Sequence, residues 1–236
     1  AFWRAPTDND RGCSFPQRAS VWMGADVFVQ RMGFTVQEKS AQCVRVQYRF
    51  GVPGVPGAQV EMIYTVEAQG ALRLDAVYHG VAGAPELPCF GVKFETFAPV
   101  TRTVWTGLSG ETYPDRYKGG VFGCHAETPH IEPALVPQDC GLHMDTQQVN
   151  LQLADGKTLT LESTGEAFAF SALPNTAQQI EAAQHLCELP ETGRTSITVL
   201  GAARGVGGID SWCTDVEEPY RLSGECDRSV SFRIVL

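Results

Sequence analysis

Five histidines, 27 acidic residues and four tryptophans are the side chains of this 236-residue sequence best equipped to act on a ligand or hold one. Splitting a glycosidic bond takes two carboxylates held a few ångströms apart. Acyl hydrolysis takes Ser or Cys beside His. No G-x-S-x-G elbow, H-E-x-x-H, Walker loop or post-strand dinucleotide fingerprint is present. The glycines of Arg204-Gly205-Val206-Gly207-Gly208 precede no helix, so they make no phosphate cradle. The carboxylates are scattered, and no spacing singles out a pair. His79 falls at a strand end and His185 at the end of a short helix, where a cation meets the helix dipole; both read as structural. His125, His130 and His143 lie in an irregular stretch, and a catalytic role for them is the minority reading.

The aromatic residues say more. An indole stacks on the apolar C–H face of a sugar while polar neighbours fix its hydroxyls. Trp3, Trp22 and Trp105 sit in strand-like patterns that suit a core. Trp212 ends the glycine-led loop Gly207-Gly208-Ile209-Asp210-Ser211-Trp212 between two strands. Loops that present a large aromatic are binding candidates. On these grounds alone, binding and packing are equally good readings of Trp212.

The elements that would position such a loop are strands. Apolar residues alternate with polar ones at Val44-Val46-Tyr48-Phe50, Val60-Met62-Tyr64-Val66, Leu72-Leu74-Ala76-Tyr78 and Val92-Phe94. The period continues at Val149-Leu151-Leu153, Leu159-Leu161, Phe168-Phe170, Ile197-Val199 and Val230-Phe232-Ile234. Such strands bury one face and wet the other, as antiparallel sheets allow. GVPGVPG at 51–57, Gly70 and Asp155-Gly156 supply turns. Thr176 with Gln179 three residues on predicts a capped helix from Thr176 to Ala183. The expectation is an all-β, two-sheet antiparallel sandwich with at most one short helix, forming one domain over residues 1–236. The stretch 107–146 reads as a long functional loop.

Composition narrows the partners. Hydrophobic residues make up 43% and charged residues 19%, enough for a sizeable core. A net charge of -9 argues against nucleic acid, which selects a basic stripe. No apolar run reaches the length of a membrane span. The opening AFWRAPTDND has no signal-peptide order and looks like a cut at a domain boundary. The eight cysteines form no C-x-x-C pair and no zinc spacing, so no metal is expected in this chain. They read as free buried thiols in a reducing compartment, which puts the cytoplasm ahead of the periplasm.

Four motifs carry a family resemblance. Arg4-Ala5-Pro6-Thr7-Asp8-Asn9-Asp10-Arg11-Gly12 resembles the R-A-P-x-D-N-D-x-G signature opening the last domain of glycoside hydrolase family 2 β-galactosidases. Gly107-Leu108 with Glu111-Thr112-Tyr113-Pro114-Asp115-Arg116 is similar to its G-x-G-P-x-E-x-Y-x-D-R, one residue short and without its proline. Pro137-Gln138-Asp139-Cys140-Gly141 resembles P-Q-E-N-G, with Asp139 for the usual Glu, and Gly205 to Trp212 resembles G-x-G-G-x-D-S-W. The motifs keep the family's order along the whole chain.

The resemblance implies a large sandwich similar to galactose mutarotases. It implies that both catalytic glutamates, and the magnesium and sodium ligands, belong to other domains, chiefly a barrel, so that this chain binds no cofactor and has no catalytic residue. It places Trp212 in the galactoside pocket, with Asp210 and Ser211 shaping its loop. The implied partners are the other domains or large subunit of a β-galactosidase that is itself a homo-oligomer. Residues Arg4 to Asp10 read as an entry turn held by Asp–backbone and Arg–carboxylate bonds. Two alternatives remain: a stand-alone sugar-binding module resting on Trp212, and a mutarotase-like epimerase. The epimerase needs His125 or His143 to meet a carboxylate in one cleft.

Overall fold

The computed structural model describes residues 1–236. Its thirteen strands form two antiparallel sheets. In chain order the first seven are β1 (Gln30–Lys39), β2 (Cys43–Gly51), β3 (Gln59–Glu67), β4 (Leu72–His79), β5 (Cys89–Glu95), β6 (Val100–Leu108) and β7 (Phe122–Glu127). The rest are β8 (His143–Thr146), β9 (Gln148–Leu153), β10 (Thr158–Ser163), β11 (Phe168–Leu173), β12 (Ser196–Ala203) and β13 (Arg228–Val235). The larger sheet runs β1-β2-β3-β4-β13-β10-β9-β6-β7, and the smaller runs β5-β12-β11-β8.

Alternation becomes layering through the register. Tyr48 pairs with Met62 and Met62 with Ala76, so one apolar row crosses three strands on one face. Between the sheets, Leu74, Leu151, Leu161 and Phe232 from the large sheet meet Phe90, Phe170, Ile197 and Val199 from the small one. Each such side chain, once buried, contributes about 1.5–3 kcal/mol relative to exposure. Trp3, Trp22 and Trp105 are all in this core, as expected, although only Trp105 lies in a strand; Trp3 precedes α1, and Trp22 ends a short 3-10 turn.

The two-sheet expectation holds, but three short helices are present rather than one: α1 (Asp8–Gly12), α2 (Phe15–Arg18) and α3 (Ala177–Ala182). α3 carries the expected Thr176–Gln179 capping box. α1 carries the same device with Thr7 and Asp10, but its five residues are too few and too polar to show a helical period. Part of the 107–146 stretch is strand: β7 pairs with β6, and β8 begins at His143. His185 lies beyond the Ala183 cap and bonds Glu188 at 2.9 Å instead of ending the helix. All eight cysteines are free thiols, yet only Cys89 and Cys140 are buried.

Candidate functional site

The four motifs, far apart in sequence, meet around the backbone of residues 205–208. The first supplies Arg4, whose guanidinium bonds both oxygens of Asp10, at 2.6 and 3.2 Å, and reaches the Gly205 carbonyl at 3.3 Å. Asp10 also accepts from the Thr7 amide and hydroxyl, each at 2.9 Å. Burial opposes charge on Asp10, but the Arg4 charge and the Arg4 and Thr7 bonds outweigh it and hold the carboxyl below its usual range. Asn9, half-buried on α1, donates to the Val206 carbonyl at 3.1 Å.

The second motif closes the loop from the other side. Asp115 accepts from the Val206 and Gly207 amides at 3.0 and 2.7 Å, and Arg116 Nε donates to the Gly207 carbonyl at 3.1 Å. The glycines are explained by this crowding. A Cβ on Gly205 would meet the Asp115 carboxylate at 2.6 Å, and one on Gly208 would overlap Arg116 and Asn9. Gly207 and Gly208 also have φ of 68° and 81°, which favour glycine.

The third motif braces the first two. Gln138 accepts from the Asp8 amide at 2.7 Å, at the start of α1, and the Pro137 carbonyl accepts from Arg11 at 3.1 Å. Tyr113 donates to Asp139 at 2.8 Å. Burial pushes the Asp139 carboxyl up to about 6 against the Arg4 charge and the Tyr113 bond, which lower it.

Beneath the loop lies Arg204, which is fully buried. Its guanidinium sits 3.8 Å from the Phe15 ring centroid and pairs with Asp215, with Glu86 at 3.3 Å and with Asp10 at 3.5 Å. Bonds from Arg18 and Arg204 overcome burial and hold the Asp215 carboxyl far below its usual range. Nothing in the sequence marked Arg204, because its role depends on carboxylates up to 194 residues away that only the fold assembles.

On this anchored base stands Trp212, 86% exposed. Asp210 accepts from the Trp212 amide at 2.9 Å and from the Thr214 hydroxyl at 2.6 Å; the Thr214 bond, then the Trp212 bond, lowers its pKa. Ser211 is exposed. A cleft of about 350 Å³ flanks the loop, lined by Asp115, Arg116, Lys118, Ile209, Glu217 and Tyr220 among others.

The histidines are placed differently. His143 does meet a carboxylate, Glu127 at 2.9 Å, but it is 1% exposed and packed on Trp105 at 4.2 Å between ring centroids. His125 also flanks Trp105, at 5.5 Å, and bonds the Val121 carbonyl. With His143 buried to this degree, the His143–Glu127 pair does not present its imidazole at an open cleft, as the epimerase reading needs. His130 is exposed and pairs with Glu132.

Fold and site together define a two-sheet β-sandwich that braces one loop and leaves the indole at its tip to solvent. The chain belongs to the family described as Beta galactosidase small chain, which it matches over residues 1–236. It is 41% identical to a protein named Beta-galactosidase small subunit from Latilactobacillus sakei, over 99% of this chain and 83% of that one. It is 33% identical to a Beta-galactosidase from Streptococcus thermophilus, over 99% of this chain but only 23% of the relative. The chain thus spans about a quarter of the length of that longer relative. A putative aldose 1-epimerase from Escherichia coli K12 superimposes with a TM-score of 0.42 at 10% identity, over 85% of this chain and 67% of that one, a likeness too slight to carry an argument.

Proposed function

We propose that this chain is the non-catalytic part of a retaining β-galactosidase and lends Trp212 to the galactoside pocket. The supporting observation is an exposed indole on a loop whose base is clamped by Asn9, Asp115 and Arg116. An unligated core residue needs no such bracing, whereas a sugar platform works only if it is held still before the ligand arrives. Of the carboxylates named around it, all but Glu217 are already committed: Asp115 to backbone amides, Asp10 and Asp215 to arginines, Asp139 to Tyr113. The acid and nucleophile therefore come from the remainder of the enzyme. Any magnesium or sodium of the parent enzyme is assigned to its other domains, as the family resemblance implies.

The test is hydrolysis of a chromogenic β-galactoside. The purified chain alone should release no aglycone above background, and mixing it with the catalytic polypeptide should give turnover. Turnover by the chain alone, abolished by substituting one of its own carboxylates, would overturn the proposal.

A further inference from the structure

The larger sheet is wider than the sheet that covers it. β5, the end strand of the smaller sheet, lies against β4 and β13. Its outer edge is occupied by Ala1, which exchanges two backbone hydrogen bonds with Gly91. β1, β2 and β3 run on past that edge with their core-side face uncovered. There the register sets Phe34 beside Tyr48, Val36 beside Val46 and Val44 beside Val66. Phe34, Val36 and Val66 are 60%, 52% and 50% exposed. The Phe34 and Tyr48 rings stack at 5.7 Å, and Tyr64 meets Tyr48 edge-on at 5.8 Å. From this face a cleft of about 450 Å³, lined mainly by apolar side chains, leads in past Phe50 and Met62 to Phe2 and Phe90. The opposite face of the same strands carries Arg45, Gln47 and Arg49, an ordinary wet face.

Soluble chains rarely leave a contiguous apolar face of this kind in water. We infer that it is the surface on which the catalytic polypeptide of the enzyme docks, through an apolar segment that fills the cleft. This rests on the function proposed above. The lengths of the relatives argue for that occupant. The matching region is 23% of the Streptococcus thermophilus protein, so about three quarters of that enzyme lies outside it and must pack somewhere on it. In Latilactobacillus sakei the same region stands in a protein named as a small subunit, whose partner is then held without a covalent link. An interface of that kind is built like a core cut in half. A saccharide fits the face poorly, because apart from the Tyr48 and Tyr64 hydroxyls its side chains, Phe34, Val36, Val44 and Val66, offer a sugar's hydroxyls no partners. A second copy of this chain would bring another net charge of -9 against the first, a mutual repulsion that disfavours self-pairing.

The experiment mixes the chain with the separately expressed catalytic polypeptide and follows the complex by sedimentation, with amide hydrogen exchange over residues 30–51 of the wild-type chain as a second measurement. Phe34→Glu with Val66→Glu should weaken the complex roughly 30-fold or more, the loss expected when an anchoring aromatic and its neighbour are made charged. Thr35→Glu, on the wet face of the same strand, should leave it unchanged. Exchange over 30–51 should slow on complex formation. An undiminished complex with the double variant and unchanged exchange overturns the docking face while the proposed function stands. Self-pairing of the chain through this face also overturns it. A wild-type chain that does not bind the catalytic polypeptide at all overturns both.

Discussion

Asp115 holds Gly207 by its amide at 2.7 Å, across 92 residues of sequence, while its other oxygen takes the Val206 amide at 3.0 Å. One carboxylate thus fixes two consecutive peptide units at the base of the loop that ends in Trp212. A carboxylate suits the task because it offers only acceptors and can meet both amides at once.

Asp115→Asn tests that arrangement. The amide side chain keeps one acceptor oxygen and turns an NH₂ toward the second backbone donor. Leaving that amide without a partner costs about 1–3 kcal/mol, read as a lower midpoint in denaturant unfolding. The double-mutant cycle separates positioning from bulk stability. In the assembled enzyme, Asp115→Asn should raise KM when Trp212 is present and change it little in a Trp212→Ala background. Equal effects in both backgrounds make Asp115 a structural residue only.

Trp212→Ala alone should scarcely affect folding, since the indole is 86% exposed, and surface changes of this kind stay within about 0.5 kcal/mol. Its effect belongs to the sugar. Losing one stacking face should raise KM for a galactoside roughly tenfold, equivalent to about 1.4 kcal/mol. Steady-state kinetics on the assembled enzyme decide it: an unchanged KM removes Trp212 from the pocket.

Asp139 makes stability depend on pH. Its carboxyl is pushed up to about 6 in the folded chain, against about 3.9 for an unperturbed aspartate. The folded state therefore binds the proton more tightly than the unfolded state. The stability this provides is complete below about pH 4 and is lost as pH rises to about 6. Asp139→Asn, which can still accept from Tyr113, should flatten that slope and gain on the order of 1–3 kcal/mol over wild type above pH 6. Denaturant unfolding at pH 4, 5, 6 and 7 measures it; parallel curves for the two proteins would refute the assignment.

The sheets were legible from sequence where apolar and polar residues alternate strictly, as in Leu72-Leu74-Ala76-Tyr78 of β4 and Val230-Phe232-Ile234 of β13. β1 was not, because register shifts at Arg31/Gly33 and Val36/Glu38 break its period of two. α1 was hidden because its logic is a capping box rather than an apolar stripe. Type and setting singled out Trp212 as a large aromatic on a glycine-led loop but left binding and packing level; the structure adds that its indole is 86% exposed. The clamp beneath it could not be derived from spacing. Asn9, Asp115 and Val206 become neighbours only when the sandwich closes, and the same holds for Arg204 and its three carboxylates.

Arg204→Met should be the most damaging of these substitutions. The methionine keeps much of the stem's contact with Phe15 but removes the charge facing Asp10, Glu86 and Asp215. Breaking a buried ionic network on one side costs about 3–5 kcal/mol, because the remaining charges stay desolvated. The pH dependence carries the signature. In the wild type the Asp215 carboxyl is held low by Arg18 and Arg204, so its contribution is present above the unfolded aspartate range and fades as pH falls. In Arg204→Met the carboxylates repel, and protonating them relieves the strain. The deficit relative to wild type should therefore be largest near pH 7 and shrink toward pH 4 in denaturant unfolding. A deficit that stays constant with pH would mean that Arg204 acts through packing on Phe15 and not through its charge.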